Sequence, residues 1–207
     1  MKTAVCLFAY KRPKYLKKAL ETHIKIPGMS YYAFVDKSEM QKEVVDIIHD
    51  SHLYDVIIPR KTHLGLNENI KSGIDFMFQL GNDAVIVLED DLLLSNDAIF
   101  YLMNGLREFH GKVQAISCDK GEMEDRFKCW AWGTWKGVWE NIDWDLVPKE
   151  KNRGSWDVIV AENFKQKNWA CRCSKWARVK HIGWSGVHYN YLDLFSIRRL
   201  LRKLFSH

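Results

Sequence analysis

No apolar run approaches the ~18–20 residues that a membrane-spanning helix needs, so no such span is expected. The opening, Met1 to Phe8, carries one charge and then a short apolar run. That run is too short for a signal peptide and has no small-residue cleavage site after it, so it reads as a first buried strand. The five cysteines, at positions 6, 118, 129, 171 and 173, are odd in number and scattered. This argues against a disulfide framework and fits a reducing, cytoplasmic setting. Cys171-Arg172-Cys173 lacks the spacing and the partner pair of a zinc site. There is no Pro- or Ser-rich linker and no internal repeat. Tryptophan is absent from the first half; all nine lie between Trp130 and Trp184.

What remains is an ordinary globular composition, 47% hydrophobic and 28% charged, in 207 residues. That length suffices for one domain with a real core. The net charge of +5 fits a polyanionic ligand such as a nucleotide diphosphate, an anionic membrane or nucleic acid. The basic residues are dispersed, with no uniformly basic face beside the acidic ones, so nucleic acid is not an expected partner.

Hydrophobic periodicity divides the first half into alternating elements. Short strand-like runs are Thr3 to Ala9, Tyr31 to Val35, Tyr54 to Ile58, Ala84 to Leu88 and Val113 to Ser117. Helical spacing marks Lys11 to Leu20, Met40 to Asp50, Asn67 to Leu80 and Asp97 to Phe109. Pro13 stands where a helix start tolerates proline. Such alternation predicts an α/β fold with a mostly parallel central sheet flanked by helices. The β-branched run from Ala84 to Leu88 predicts a fully buried parallel strand. Ligands of these sheets bind at the carboxyl ends of the strands, where Asp36, Glu89, Asp90 and Asp91 all fall.

Consecutive acids at the end of a buried strand are costly unless a cation neutralises them. Mn²⁺ or Mg²⁺ prefers carboxylate oxygens and keeps coordination places for phosphate. The alternative for Glu89-Asp90-Asp91 is a solvated acidic turn helped by the following helix dipole. Asp157 reads as a helix N-cap before Val158-Ile159-Val160, and Asp36 as an ordinary strand-to-turn aspartate. Arg12 reads as a solvated helix-start residue, and His188 as a loop histidine in a glycine-punctuated stretch.

A family resemblance adds functional readings to each of these. Val87-Leu88-Glu89-Asp90-Asp91-Leu92 looks like the Glu-Asp-Asp form of the Asp-X-Asp motif of GT-A-fold glycosyltransferases. It is most similar to N-acetylglucosaminyltransferase I and small bacterial glycosyltransferases related to it. Further segments resemble that family in order: Leu7 to Pro13, Phe34-Val35-Asp36, His63 to Ile70, Ser117 to Gly121, Trp132 to Lys136 with Trp139, and Trp156-Asp157. The series runs from residue 5 to about 190.

The resemblance implies a GT-A (nucleotide-diphospho-sugar transferase) fold and metal-dependent, inverting transfer of a sugar from a nucleotide-sugar, a UDP-sugar in the first instance. The acceptor would be a hydroxyl of a glycan, glycolipid or glycoprotein. It implies donor contacts from Arg12, Asp36, Glu89 and Asp90, with Asp36 at the uracil. It also implies Mn²⁺ or Mg²⁺ on Asp91 with His188, and Asp157 as the base that deprotonates the acceptor. A sugar-nucleotidyltransferase would need a glycine-rich loop after the first strand, and Ala9 to Pro13 has no glycine. A non-catalytic nucleotide-sugar or glycan-binding protein on the same fold is the other alternative.

The expected organisation is one domain over 1–207. Residues 1–117 would form the nucleotide-sugar half, 118–190 the acceptor side, and 191–207 an amphipathic basic helix. In that tail Leu194, Ile197, Leu201 and Leu204 share a face, away from Arg198, Arg199, Arg202 and Lys203. Both packing on the protein and peripheral contact with an anionic membrane through 192–205 fit that pattern. The tryptophans are expected mainly in packing, with one or two lining the acceptor cleft.

Overall fold

The computed structural model describes residues 1–121, 123–124, 126–146 and 154–183. His188 and the 192–205 segment lie outside the described residues.

Strand β1 (Thr3–Ala9) is buried along its whole length, as its uninterrupted apolar run requires. It pairs in parallel with β2 (Ser30–Val35) on one side and β4 (Ala84–Glu89) on the other. β3 (Val56–Pro59) extends this block beyond β2. Beyond β4 the sheet continues through β8 (Trp132–Trp135), β6 (Ala115–Lys120), β9 (Cys171–Ser174) and β7 (Met123–Glu124). The eight strands thus run β3-β2-β1-β4-β8-β6-β9-β7.

β4 departs from the expected all-parallel setting. Its second neighbour, β8, is antiparallel, as is the β8–β6 pair. The consequence for the site is direct, because the start of β8 lies beside the end of β4.

Helices cover both faces. α1 (Pro13–Leu20), α2 (Gln41–Asp50) and α4 (Ala98–Glu108) bury Leu16, Val44, Ile48, Ile99 and Leu102 against one face. α3 (Leu66–Gln79) and α6 (Trp156–Gln166) bury Ile70, Ile74, Trp156 and Phe164 against the other. At Gly73 a β-carbon would lie 2.4 Å from the Phe8 ring, so glycine sets how closely α3 approaches β1. Trp132, Trp135, Trp139 and Trp156 are core residues. Trp132 stacks on Trp156 at 5.7 Å, which locks β8 to α6. A short helix, α5 (Lys136–Trp139), follows β8.

A small separate sheet pairs β5 (Leu92–Leu94) antiparallel with β10 (Val179–His181). Neither strand follows from the sequence pattern, since three residues are too few to show a period. Their register sets His181 opposite Leu92, one residue from Asp91. No helix among the described residues is long and apolar enough to cross a membrane.

Candidate active site

Three loops at the carboxyl ends of the strands build the site. The first follows β1. Pro13 occupies the opening of α1 and Arg12 is its N-cap, in a non-helical conformation. Its guanidinium bridges two acids: Nη2 donates to Asp90 Oδ1 at 2.5 Å and Nη1 to Asp91 Oδ2 at 2.6 Å. A planar fork with fixed donors suits such a two-carboxylate grip. Asp90 also accepts the Tyr10 backbone N–H through Oδ2 at 3.0 Å. It is fully buried, and burial pushes its carboxyl up despite Arg12.

Asp91 behaves differently. Burial alone would raise its carboxyl, but His181 and Arg12 outweigh burial and hold it below the usual carboxylate range. His181 Nε2 lies 3.0 Å from the same Oδ2 that Arg12 grips. The backbone of Gly183 closes over this oxygen, where a β-carbon would sit 2.0 Å away. His181 and Gly183 are site residues that the sequence reading missed. Only the short β10 strand brings them to Asp91, and a lone histidine in a basic stretch carries no local sign of that.

Glu89 is half-buried, and its carboxylate takes no hydrogen bond from a side chain among the described residues. Burial, then Asp91 and Asp90, push its carboxyl up to about 8, with a further contribution from Asp157. The same two charges, Glu89 and Asp157, act on the Cys129 thiol. Glu89 points to the α6 side of the sheet by strand alternation after Val85 and Val87, the side on which the first turn of α6 carries Asp157.

Asp157 is not the N-cap of α6. Ser155 occupies that position, and Asp157 lies in the first turn, accepting a hydrogen bond from the Ser155 hydroxyl. Asn67 at the start of α3 holds this turn. Its Oδ1 accepts the Trp156 N–H at 2.8 Å, and its Nδ2 donates to the Gly154 carbonyl.

Asp36 stands apart from the triplet. Its buried carboxylate accepts backbone N–H groups from Lys37, Leu64 and Gly65, and His63 Nδ1 lies 2.9 Å from Oδ2. It organises the loop after β3, and that loop's His63 ring stacks on Tyr10 at 5.1 Å. The site thus has one wall around Tyr10, His63 and Asp36, and a centre at the acids.

Among the described residues no group of three or more His, Cys, Asp or Glu side chains is placed to hold a metal ion. Arg12 and His181 already occupy Asp91 Oδ2, and Arg12 also grips Asp90.

No family model matches the sequence, and no curated protein matches it. Solved structures do. A mannosyltransferase from Pyrobaculum calidifontis, in complex with GDP-Man and Mn²⁺, superposes with a TM-score of 0.65 at 12% identity. The match covers 96% of this chain and 60% of that one, so the chain spans less than two thirds of that relative. The 1–349 fragment of S. aureus TarS, in complex with UDP-GlcNAc, matches with a TM-score of 0.61 at 13% identity, covering 98% and 66% of the two chains. The fold is that of the GT-A nucleotide-diphospho-sugar transferases. A cytidylyltransferase from Leptospira borgpetersenii also shares this GT-A-like sheet, with a TM-score of 0.61 at 10% identity over 99% and 96% of the chains.

Proposed function

We propose that this chain transfers a sugar from a nucleotide-sugar donor to an acceptor hydroxyl, with inversion at the anomeric carbon. One observation carries the reading: on this GT-A fold, Arg12 grips Asp90 and Asp91 beside Glu89 at the carboxyl end of β4.

The nucleobase is placed beside the Tyr10–His63 stack, over the loop that Asp36 holds. The diphosphate then lies toward Arg12, whose guanidinium neutralises the charge that develops as the anomeric C–O bond breaks. Asp90 and Glu89 keep Arg12 and the donor sugar in place. Asp157 takes the proton of the acceptor hydroxyl as that oxygen attacks the anomeric carbon from the opposite side. Ser155 and Asn67 fix the turn that carries it. Asp91 is the acid that would take part in holding Mn²⁺ or Mg²⁺, with His188 a further candidate beyond the described residues. Such an ion supplies additional neutralisation of the diphosphate.

Thermal unfolding with a panel of UDP- and GDP-sugars, with and without Mn²⁺, tests the reading, because a ligand of the native state raises stability by mass action. A Mn²⁺-dependent rise is expected with one donor, lost in Asp91→Asn and kept in Asp157→Asn. Asp157→Asn should slow transfer by ~10²–10⁴-fold, the usual worth of a general base. No rise with any donor would sink the proposal. A retained anomeric configuration in the product would remove Asp157 from its role.

One observation favours a second reading. The cytidylyltransferase match spans nearly the whole of both chains, unlike the glycosyltransferase matches. Against it stands the glycine-free loop from Ala9 to Pro13. Release of pyrophosphate from a nucleoside triphosphate in the presence of sugar phosphates would favour that alternative.

A further inference from the structure

Trp130 and Trp176 are the exposed tryptophans among the described residues, while Trp144 and Trp169 are partly buried against the core. Trp132, Trp135, Trp139 and Trp156 are buried in the core, whereas Trp130 is 39% exposed. Trp176 is more exposed, but it lines a groove against α4 with Phe100 and Tyr101, away from the acids. Antiparallel pairing of β4 with β8 ends at Val87 and Trp132, so the chain before β8 passes the level of Glu89. Its neighbour Cys129 lies within the influence of both Glu89 and Asp157.

The indole is held, not loose. It stacks on the His181 ring at 5.2 Å with the planes 5° apart, and His181 in turn contacts Asp91. Ala131 has a φ of 48°, a left-handed conformation that costs a non-glycine residue about 1–2 kcal/mol. Its carbonyl accepts the Cys118 N–H at 2.9 Å, which anchors the kink to β6. Strain of this kind persists where the surroundings over-determine it, and it clusters at sites that position a side chain.

We infer that Trp130 is the platform on which the acceptor's pyranose ring lies, a reading that rests on the transferase proposal above. An indole face matches the C–H face of a pyranose, and a ring already immobilised by its stack loses little entropy on binding. Sheet order separates the two substrates. β4 carries the acids between β1, whose loop presents Arg12, and β8, whose entry presents Trp130. The diphosphate belongs to the β1 side and the acceptor to the β8 side, where Asp157 receives its proton.

Saturation-transfer NMR of the full chain with methyl glycosides of glucose, galactose, mannose and N-acetylglucosamine tests this without a known acceptor. Saturation should pass from aromatic protons to the ring protons of at least one glycoside. The Trp130→Ala variant should weaken that binding by roughly 3- to 10-fold, and Trp130→Tyr should restore most of it. Equal binding in wild type and Trp130→Ala overturns the inference, as does no transfer to any glycoside in the folded wild type. The nucleotide-sugar thermal shift, read in parallel, locates the sugar. If Trp130→Ala abolishes that shift while its own unfolding temperature is unchanged, the indole serves the donor and the inference falls. Glycoside binding that depends on Trp130 without any donor shift would instead sink the transferase reading and leave the sugar platform standing.

Discussion

Asp91 and His23 show two ways in which a buried titratable group is accommodated. Asp91 keeps its charge because Arg12 and His181 converge on one oxygen. His23 is buried between Tyr54 and the β5 region, with Nδ1 3.0 Å from the Tyr54 hydroxyl, and burial lowers its pKa to about 4. The unfolded chain takes up this proton near pH 6.5, and the folded chain only near pH 4. Between those values the unfolded state binds more protons, so stability falls as pH falls through that window. The loss amounts to about 3 kcal/mol when complete. Urea unfolding at pH 7 and pH 4.5 should show His23→Gln, which can still meet the Tyr54 hydroxyl, losing about 2 kcal/mol less than wild type on acidification. Equal losses in the two proteins would show that His23 does not titrate in this way.

At the scale of elements, the site depends on contacts between segments distant in sequence. Asn67 opens α3, yet both of its amide atoms serve the start of α6. Those bonds aim the turn carrying Asp157. Asn67→Ala should cost about 1 kcal/mol, lowering the unfolding temperature by roughly 2–4 °C. The larger effect should fall on catalysis, because misplacing a reacting group by ~1 Å can cost ~10²-fold. The nucleotide-sugar thermal shift should survive. A split in which the turnover rate falls by roughly tenfold or more and donor affinity holds identifies Asn67 as a positioning residue. Equal losses in both would assign it to the general fold instead. The β5–β10 pair acts in the same way on the other side of the acids, delivering His181 to Asp91 through backbone register.

For the whole molecule, the sheet separates two apolar layers of different character. The layer under α1, α2 and α4 is mainly aliphatic, and the layer under α3 and α6 is aromatic. In the aromatic layer Phe127 meets Trp132 edge-on at 4.7 Å, and Trp156 stacks beneath. Trp156→Ala should cost ~3–5 kcal/mol, a large share of the ~5–15 kcal/mol that holds a domain together. An unfolding temperature lower by roughly 6–20 °C is expected. Trp176→Ala, at an exposed indole, should stay within about 0.5 kcal/mol of wild type. A smaller fall in Trp156→Ala than in Trp176→Ala would contradict this division of the tryptophans into core and surface.

The sequence by itself determined the first half of the sheet. β1, β2 and β4, with the helices between them, are long enough for their periodicity to identify them, so Asp36 and the acidic triplet were legible at strand ends. It also placed Asp157 near a helix start, because Ser155-Trp156-Asp157 precedes an apolar run. Tertiary structure alone decided that β8 runs antiparallel beside β4, since Trp132-Gly133-Thr134-Trp135 is short and buried on both faces and so shows no alternation. It alone decided which tryptophan stacks on His181, because the kink at Ala131 is held by pairing with β6. The closing of Arg12, His181 and Gly183 around Asp91 likewise joins residues some 80 to 170 positions apart. Local pattern records a residue's own periodicity and capping; it carries no trace of partners that only strand pairing and charge bring within 3 Å.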